Sequence, residues 1–394
     1  MLFQTLDDKK NCLGLYHNRT LVKGAAPDAT MTRTWTAAQF LEDMDVEYAY
    51  LYCQRNLADS CPSEIRKQYE ESISFLRAFL RSMENARVDL TQHCFYDLVP
   101  EHFLVMYCES KNKICEYVFE NYERPKNYDF LRDLLFVTQA MSHRKLNLDY
   151  AKAARDCASF SLRNKFKSVR RSSPYVRYNI FGTKTGRMTS EPHSFPILTL
   201  NKEFRKVIRP NNDKFVELDF NAFELRVLLY LLDKEQPQID IHEWNVANVY
   251  KGIPTRDEAK RRIFAWLYNL DSSDYLSERA YDRQQILSKY WNGMEIVNPF
   301  GRTIESDKFH AISYLVQSTA VDIVLRQVIK LHGMLENKKS YIAFTIHDSV
   351  VIDMAEEDMS LLPELERQFS TFRDTEFLTN VSIGNNFGNM EERK

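Results

Sequence analysis

The stretch from residue 214 to residue 231 constrains the fold of this chain more than any other part of the sequence. It begins with the apolar, β-favouring run Phe215-Val216-Glu217-Leu218, which is typical of a buried strand and which delivers Asp219 at its end. A helical pattern follows, and its apolar face consists of Phe223, Val227, Tyr230 and Leu231. A carboxylate between a strand and a helix is well placed to hold a metal ion, but an Asp there can equally cap the helix. The residues alone leave both interpretations open.

The segment Asp219-Phe220-Asn221-Ala222-Phe223-Glu224-Leu225-Arg226 resembles motif A of the family A (Pol I-like) DNA polymerases. In that family the Asp binds two magnesium ions and the Glu screens the sugar of the incoming nucleotide. The resemblance implies that Asp219 and the backbone carbonyl of Phe220 are metal ligands and that Phe220 and Glu224 lie at the dNTP. It also implies that Glu224 excludes a ribose 2′-hydroxyl and that Arg226 contacts DNA.

Composition restricts the class of protein. The chain has 394 residues, of which 44% are hydrophobic and 27% are charged, so it is expected to be globular rather than disordered. It has no signal-peptide pattern at its start and no apolar run of the roughly 18 residues that a membrane span needs. The seven cysteines lack C-x-x-C spacing and are expected to be free thiols. We therefore expect a cytoplasmic protein without membrane contact, in the host cytoplasm if the source is viral.

Positive charge is concentrated between residues 161 and 210. This block contains twelve Lys or Arg residues, opposed only by Glu191 and Glu203. Such an imbalance within a nearly neutral chain indicates contact with a polyanion. Inside the block, the segment from Thr185 to Ser190 resembles the T-G-R-L-S-S motif of the same polymerases, which implies that Arg187 reaches the DNA minor groove near the primer terminus.

A second cluster of functional residues is predicted on a helix between residues 255 and 269. Arg256, Lys260, Phe264 and Tyr268 stand four residues apart, so they form one gently winding stripe about 18 Å long. Two cations followed by two aromatic rings match motif B, the nucleotide-binding helix of the family. The resemblance implies that Arg256 and Lys260 bind the β- and γ-phosphates, that Lys260 protonates pyrophosphate, that Phe264 lines the dNTP site and that Tyr268 stacks near the template base.

Three further segments complete the resemblance. The residues from Asn298 to Arg302 are similar to the family's T-x-x-G-R turn, and those from Val316 to Ile323 are similar to Q-G-S-A-A-D-I, which implies that Gln317 touches the template or primer. Near residue 347, β-favouring residues flank a His-Asp pair, which predicts a hairpin with Asp348 at its turn and resembles motif C. Asp348 would then be the second metal carboxylate and His347 would support the primer end. Ser349 replaces the usual Glu.

The resemblance as a whole implies a compact phage or viral type of family A polymerase. Its fold would be α+β, a right-hand polymerase fold with an antiparallel palm sheet, a helical thumb and reduced helical fingers. The expected divisions are an N-terminal region of unclear role (1–61), a thumb (62–157), the first part of the palm (158–231), the fingers (232–297) and the second part of the palm (298–394).

The implied activity is template-directed addition of dNTPs to a primer 3′-hydroxyl by two-metal phosphoryl transfer, with two Mg²⁺ ions and with Mn²⁺ able to substitute. The expected partners are primer–template DNA and dNTPs. Because only 184 residues precede Thr185, we expect no proofreading exonuclease here and a separate exonuclease or processivity subunit. Two alternatives stay open: a single-subunit RNA polymerase, which His-Asp-Ser also matches, and a non-catalytic DNA-binding relative.

Overall fold

The structure is a computed structural model that describes residues 1–90, 92–151, 160–269 and 271–393. It divides into two compact units, Met1–His143 and Arg144–Lys394, which we call the N-terminal unit and the C-terminal unit. The predicted boundary between residues 61 and 62 falls inside the N-terminal unit. The predicted boundary between 157 and 158 lies outside the described residues, as does Cys157. The assignment of thumb, palm and fingers to particular residues stays a prediction.

The N-terminal unit combines a small antiparallel sheet with helices. Its elements are β1 (Gln4–Asp8), β2 (Asn11–His17), β3 (Thr20–Lys23), β4 (Arg33–Thr34), β5 (Glu47–Tyr48), α1 (Ala49–Cys53), α2 (Ser63–Asn85), α3 (Glu101–Asn121) and α4 (Tyr128–Ser142). Strands β1, β2 and β3 form the sheet, and α2 packs against α3. Phe103 and Leu104 of α3 are buried together with Leu6 and Tyr16 from the sheet, so the sheet and the helices share one apolar core.

The C-terminal unit contains the strand and the helix from which the sequence argument began. Its helices are α5 (Phe160–Arg171), α6 (Phe223–Leu231), α7 (Ile241–Trp244), α8 (Arg256–Tyr268), α9 (Tyr275–Tyr281), α10 (Arg283–Tyr290), α11 (Lys308–Met334) and α12 (Leu362–Ser370). Its strands are β6 (Asn147–Leu148), β7 (Tyr178–Asn179), β8 (Thr189–Ser190), β9 (Ile208–Arg209), β10 (Lys214–Phe220), β11 (Glu295–Val297), β12 (Thr303–Glu305), β13 (Tyr341–Ile346), β14 (Ser349–Met354), β15 (Thr371–Phe372), β16 (Thr375–Glu376), β17 (Thr379–Gly384) and β18 (Glu391–Glu392).

An antiparallel five-stranded sheet forms the centre of this unit. The strand order is β13-β14-β10-β17-β18, so β10 is the middle strand. Helix α12 packs on β10 and β17, and α11 packs on both α12 and α6. The core strands β13 and β14 are buried along almost their whole length, as expected for strands that are covered by helices. The predicted strand before Asp219 and the predicted hairpin around Asp348 are both confirmed.

Helix α8 corresponds to the predicted helix between residues 255 and 269. Thr255 and Glu258 form a capping box at its start, which satisfies backbone N–H groups of the first turn. Its buried side consists of Ala259, Ile263, Trp266 and Leu267. The predicted stripe therefore stays on the outer side of the helix, with Arg256 and Lys260 exposed.

A buried ion pair ties α11 to the loop before β12. Asp322 of α11 is only 2% exposed and accepts hydrogen bonds from Nη2 of Arg302 at 2.6 Å and from Nδ2 of Asn298 at 2.7 Å. The Arg302 guanidinium also fills the space beside Gly186, where a Cβ atom would come within 2.6 Å of the guanidinium carbon. Glycine is required there for a second reason, since its φ is +84°. The loop at residues 185–187 is therefore fixed against this pair.

We expect Asp322→Ala to lower the free energy of unfolding by about 3 kcal/mol, because it leaves the Arg302 charge buried without its partner. Urea denaturation of the full chain, followed by tryptophan fluorescence, measures this loss. The control is Glu364→Ala, which removes the exposed partner of Arg367 and should change the free energy of unfolding very little. Equal losses for the two variants would contradict a stabilising role for the buried pair.

Candidate active site

The two predicted metal carboxylates lie at the same end of the sheet, with Asp219 near the end of β10 and Asp348 in the turn before β14. Asp219 of β10 is the register partner of Ser349, the first residue of β14, and Asp348 immediately precedes Ser349. The backbone N–H of Phe220 donates to the carbonyl oxygen of Asp348 at 3.5 Å, which fixes the turn beside the end of β10. Strand pairing therefore brings together two acidic residues that are distant in sequence.

The electrostatics of this pair favour a bound cation. Burial, the charge of Glu217 and the charge of Asp348 together raise the pKa of Asp219 to about 7. Burial also raises the pKa of Asp348, although the charges of Arg187 and His347 oppose this effect. Two partly buried carboxylates that repel each other are costly when both are ionised, and a divalent cation removes that cost. Their oxygen donors are the ligand type that Mg²⁺ prefers.

The number of carboxylates is small. Among residues 1–90, 92–151, 160–269 and 271–393 there is no group of three or more His, Cys, Asp or Glu side chains arranged to hold a metal. This fits magnesium sites of the kind that use one or two protein carboxylates and take their other ligands from substrate phosphates and water. The donor set of Asp219 and Asp348 therefore fits Mg²⁺ that is bound together with a nucleotide.

The ring of Phe220 anchors the strand end rather than facing a ligand. It is 2% exposed and stacks between Phe223 at 4.1 Å and Phe369 at 4.3 Å, measured between ring centroids. Only the main chain of Phe220 could therefore serve the nucleotide or the metal. Ala222 then adopts a left-handed conformation, with φ of 45°, and α6 begins at Phe223.

Glu224 is held by two neighbours beside the carboxylate pair. Its Oε1 lies 3.2 Å from Nη2 of Arg187, and its Oε2 accepts a hydrogen bond from the hydroxyl of Tyr268. Gln317 of α11 lies within hydrogen-bonding reach of the same hydroxyl. The structure thus brings together four residues that the sequence assigned to four different motifs.

Some side chains of the predicted stripe on α8 already have partners within the protein. Arg256 makes a two-pronged ion pair with Asp240, with distances of 3.1 Å from Nε to Oδ1 and 2.7 Å from Nη2 to Oδ2. Burial opposes ionisation of Asp240, but hydrogen bonds from Arg256 and from the amide of Glu243 lower its pKa to about 2.

Lys260 is exposed, and the ring of Phe264 stacks on that of Tyr268 with 6.1 Å between their centroids. His242 is buried, with its ring centroid 5.9 Å from that of Phe264, so it packs against α8.

His347 is exposed at the turn between β13 and β14, where its φ of 52° is unusual for a residue with a side chain. It lies next to Asp348 and its charge lowers the pKa of that carboxyl. This position is compatible with the predicted support of a primer end.

The predicted DNA contact of Arg226 is wrong. Its side chain is fully buried, and the guanidinium donates to the carbonyl oxygens of Asn221, Pro237 and Ile239. Burial lowers the pKa of Arg226 to about 10. The residue therefore braces the loop after α6 and is not available to a ligand.

Two residues of the site were missed by the sequence argument. Asp240 caps α7 and also pairs with Arg256. The two residues are 16 positions apart, so no local pattern in the sequence indicates that they pair. Glu217 lies two residues before Asp219, and because alternate residues of a strand share a face, that spacing could have revealed it.

Comparison with known proteins places this geometry in context. No protein-family model matches the chain. A DNA polymerase of Bacillus phage SP01 is 24% identical over 296 residues, covering 55% of this chain and 32% of the phage protein. The chain thus spans about a third of that relative's length. The polymerase domain of Pol1 from M. smegmatis, solved in complex with a DNA primer-template and dNTP, aligns with a TM-score of 0.66 at 11% identity and covers 98% of this chain and 95% of that one.

The M. smegmatis structure matches almost the whole chain. This chain combines helices with an antiparallel sheet, which is the α+β arrangement expected from the sequence. The phage relative is itself a DNA polymerase. The chain therefore has the fold of a family A-like DNA polymerase domain.

Proposed function

We propose that this chain is a template-directed DNA polymerase that adds dNTPs to a primer 3′-hydroxyl by phosphoryl transfer. The observation that carries the proposal is the register of β10 and β14, which sets Asp219 beside Asp348 at one end of the central sheet. Support also comes from the M. smegmatis domain, whose structure contains DNA and dNTP, and from the phage DNA polymerase.

Asp219 and Asp348 are the proposed protein ligands of two Mg²⁺ ions, with the backbone carbonyl of Phe220 as a further ligand and with Mn²⁺ able to substitute. When bound, such ions polarise the 3′-hydroxyl and neutralise the charge that develops on the transferred phosphoryl group. The role of the two carboxylates themselves is to hold and orient these ions. A bound cation relieves the mutual repulsion of the two ionised carboxylates.

The exposed cations of α8 would bind the triphosphate. Lys260 is exposed and provides an ammonium group that can bind phosphate oxygens and donate a proton to departing pyrophosphate. Arg256 is exposed on one side but paired with Asp240. A phosphate would therefore bind the guanidinium either alongside the Asp240 carboxylate or in its place. Phe264 and Tyr268 offer ring faces for the sugar and base.

Glu224 is the proposed filter against ribonucleotides. Hydrogen bonds from Arg187 and Tyr268 hold its carboxylate from two sides, so it cannot easily move away from an added 2′-hydroxyl. This favours the DNA polymerase over the single-subunit RNA polymerase alternative, which requires space at the same position. A Mg²⁺-dependent activity of either kind would exclude the non-catalytic alternative.

The basic block supplies a surface for primer–template DNA. Exposed cations among its described side chains are Lys167, Arg170, Arg171, Arg177, Lys184, Lys202, Lys206 and Arg209. Arg187 is half-buried, and no acceptor for its Nε hydrogen is found within the part of the chain that the structure describes. We propose that Arg187, Gln317 and His347 contact the duplex near the primer end, and that the exposed cations bind its phosphates.

No helix within the described ranges is both long enough and apolar enough to cross a bilayer. A separate exonuclease or processivity subunit remains part of the proposal. Asp45-Val46-Glu47 has the D-x-E spacing of proofreading exonucleases, but Glu47 pairs with Arg33 at 3.2 Å and accepts a hydrogen bond from Tyr52, so its carboxylate is already engaged.

We expect Asp219→Asn and Asp348→Asn each to reduce Mg²⁺-dependent primer extension on the order of a thousandfold or more, because each removes a charged metal ligand. Single-nucleotide extension of a labelled primer measures the rate, and fluorescence anisotropy with the same duplex measures DNA binding, which should change little. Near-normal extension by either variant would refute the metal assignment.

Glu224→Ala should increase the incorporation of rNTP relative to dNTP by about tenfold or more, because the carboxylate no longer meets the 2′-hydroxyl. The measured quantity is the ratio of kcat/KM values for rATP and dATP on one primed template. Tyr268→Phe serves as the matched variant: it keeps the carboxylate but removes one of its hydrogen bonds, so a smaller increase is expected. An unchanged ratio in Glu224→Ala would show that another group selects the sugar.

Purified protein should leave a 3′-mismatched primer untrimmed in Mg²⁺ without dNTPs, since the Glu47 carboxylate of the D-x-E segment is already engaged by Arg33 and Tyr52. Gel analysis of the labelled primer checks this, with an added 3′-exonuclease as the positive control. Trimming that persists in Asp219→Asn would reveal a nuclease site in this chain.

A further inference from the structure

Glu217 lies beside the carboxylate pair but belongs to no motif of the resemblance. It precedes Asp219 by two positions on β10, so both side chains lie on the same face of the sheet. The hydroxyl of Ser349, the residue opposite Asp219, lies 3.0 Å from Oε1 of Glu217 and 3.1 Å from the carbonyl oxygen of Ile346. Ser349 therefore holds the Glu217 carboxylate in place next to Asp219.

The hydrogen bond between Ser349 and Glu217 suggests that a carboxylate on β10 takes the place of one on β14. Ser349 occupies the position at which the family that the sequence resembles usually has Glu. In this chain β14 has no Glu at that position, but β10 carries a carboxylate, Glu217. Ser349, which stands in place of the usual Glu, donates the hydrogen bond that orients Glu217. Glu217 thereby adds a carboxylate near Asp219 and Asp348, although among the described residues the three are not arranged as one metal-binding group.

Glu217 acts on Asp219 electrostatically. The two residues are separated by two positions on β10, about 7 Å along the strand, so the charge of Glu217 lies close to the Asp219 carboxylate. Burial raises the pKa of Glu217, whereas the hydrogen bond from Ser349 and the charge of Arg205 favour its ionised form. Because the Glu217 carboxylate is held by Ser349, its proposed contribution is through its charge beside Asp219.

We propose that Glu217 is a positioning residue that raises the affinity of Asp219 and Asp348 for divalent cations, and that Ser349 orients it. This inference rests on the proposed function, because it assumes that the pair binds catalytic ions. Groups that support metal ligands in this way typically change metal affinity by about tenfold or more when they are removed.

The test measures Mn²⁺ binding to the full chain with a saturating dNTP and without DNA, from the electron paramagnetic resonance signal of free Mn²⁺ and relative to the same dNTP without protein. Glu217→Gln preserves the shape of the side chain and should weaken Mn²⁺ binding by about tenfold. Ser349→Ala keeps the carboxylate but frees it, so a smaller loss is expected. Combining Glu217→Gln with Ser349→Glu returns a carboxylate to β14 and should recover most of the affinity.

A matched control is Glu356→Gln. Glu356 is exposed and pairs with Lys214, at the end of β10 opposite to Asp219 and roughly 17 Å along the strand. This variant makes the same change in charge and should bind Mn²⁺ as the unmodified protein does. Thermal unfolding of each variant reports whether it is folded.

The outcomes separate the inference from the proposed function. If the unmodified protein binds Mn²⁺ and Asp219→Asn does not, but Glu217→Gln binds normally, the role of Glu217 is refuted and the metal site stands. If Glu217→Gln and Glu356→Gln weaken binding equally, only net charge matters and the inference also fails. If Asp219→Asn binds Mn²⁺ as well as the unmodified protein, the proposed metal site itself is wrong.

Discussion

The antiparallel pairing of β10 with β14 is the constraint on which the rest of the site depends. Its register sets Asp219 opposite Ser349, and the same register carries Asp348 and His347 to the adjacent turn. A shift by one residue would turn Asp219 to the other face of the sheet, because successive strand residues point in opposite directions. The apolar residues of both strands are buried, so such a shift would also expose the core.

Packing around this sheet explains how the remaining residues are positioned. The stack of Phe220 between Phe223 and Phe369 fixes the end of β10 and the start of α6, and thereby the position of Glu224. Glu224 in turn holds Arg187 and Tyr268, which belong to the basic block and to α8. Polar contacts thus join the segments, while aromatic packing supplies their rigid support.

Local patterns in the sequence predicted much of this. The strand before Asp219, the hairpin at Asp348 and helix α8 follow from periodicity and capping residues, and the structure confirms all three. Arg226 shows where this reasoning fails: the apolar residues Leu225, Val227 and Leu228 around it favour burial, but the carbonyl groups that receive its hydrogen bonds lie in a loop whose path the sequence does not reveal. The same holds for Asp240, since pairing with Arg256 depends on how two helices approach each other.

Locating a bound cation tests the central claim most directly. Crystals of the protein grown with MnCl₂ and a primer–template would give an anomalous difference map at the manganese absorption edge. The account predicts a peak about 2.1 Å from carboxylate oxygens of both Asp219 and Asp348. Manganese bound elsewhere, with these two carboxylates directed away from each other, would contradict it.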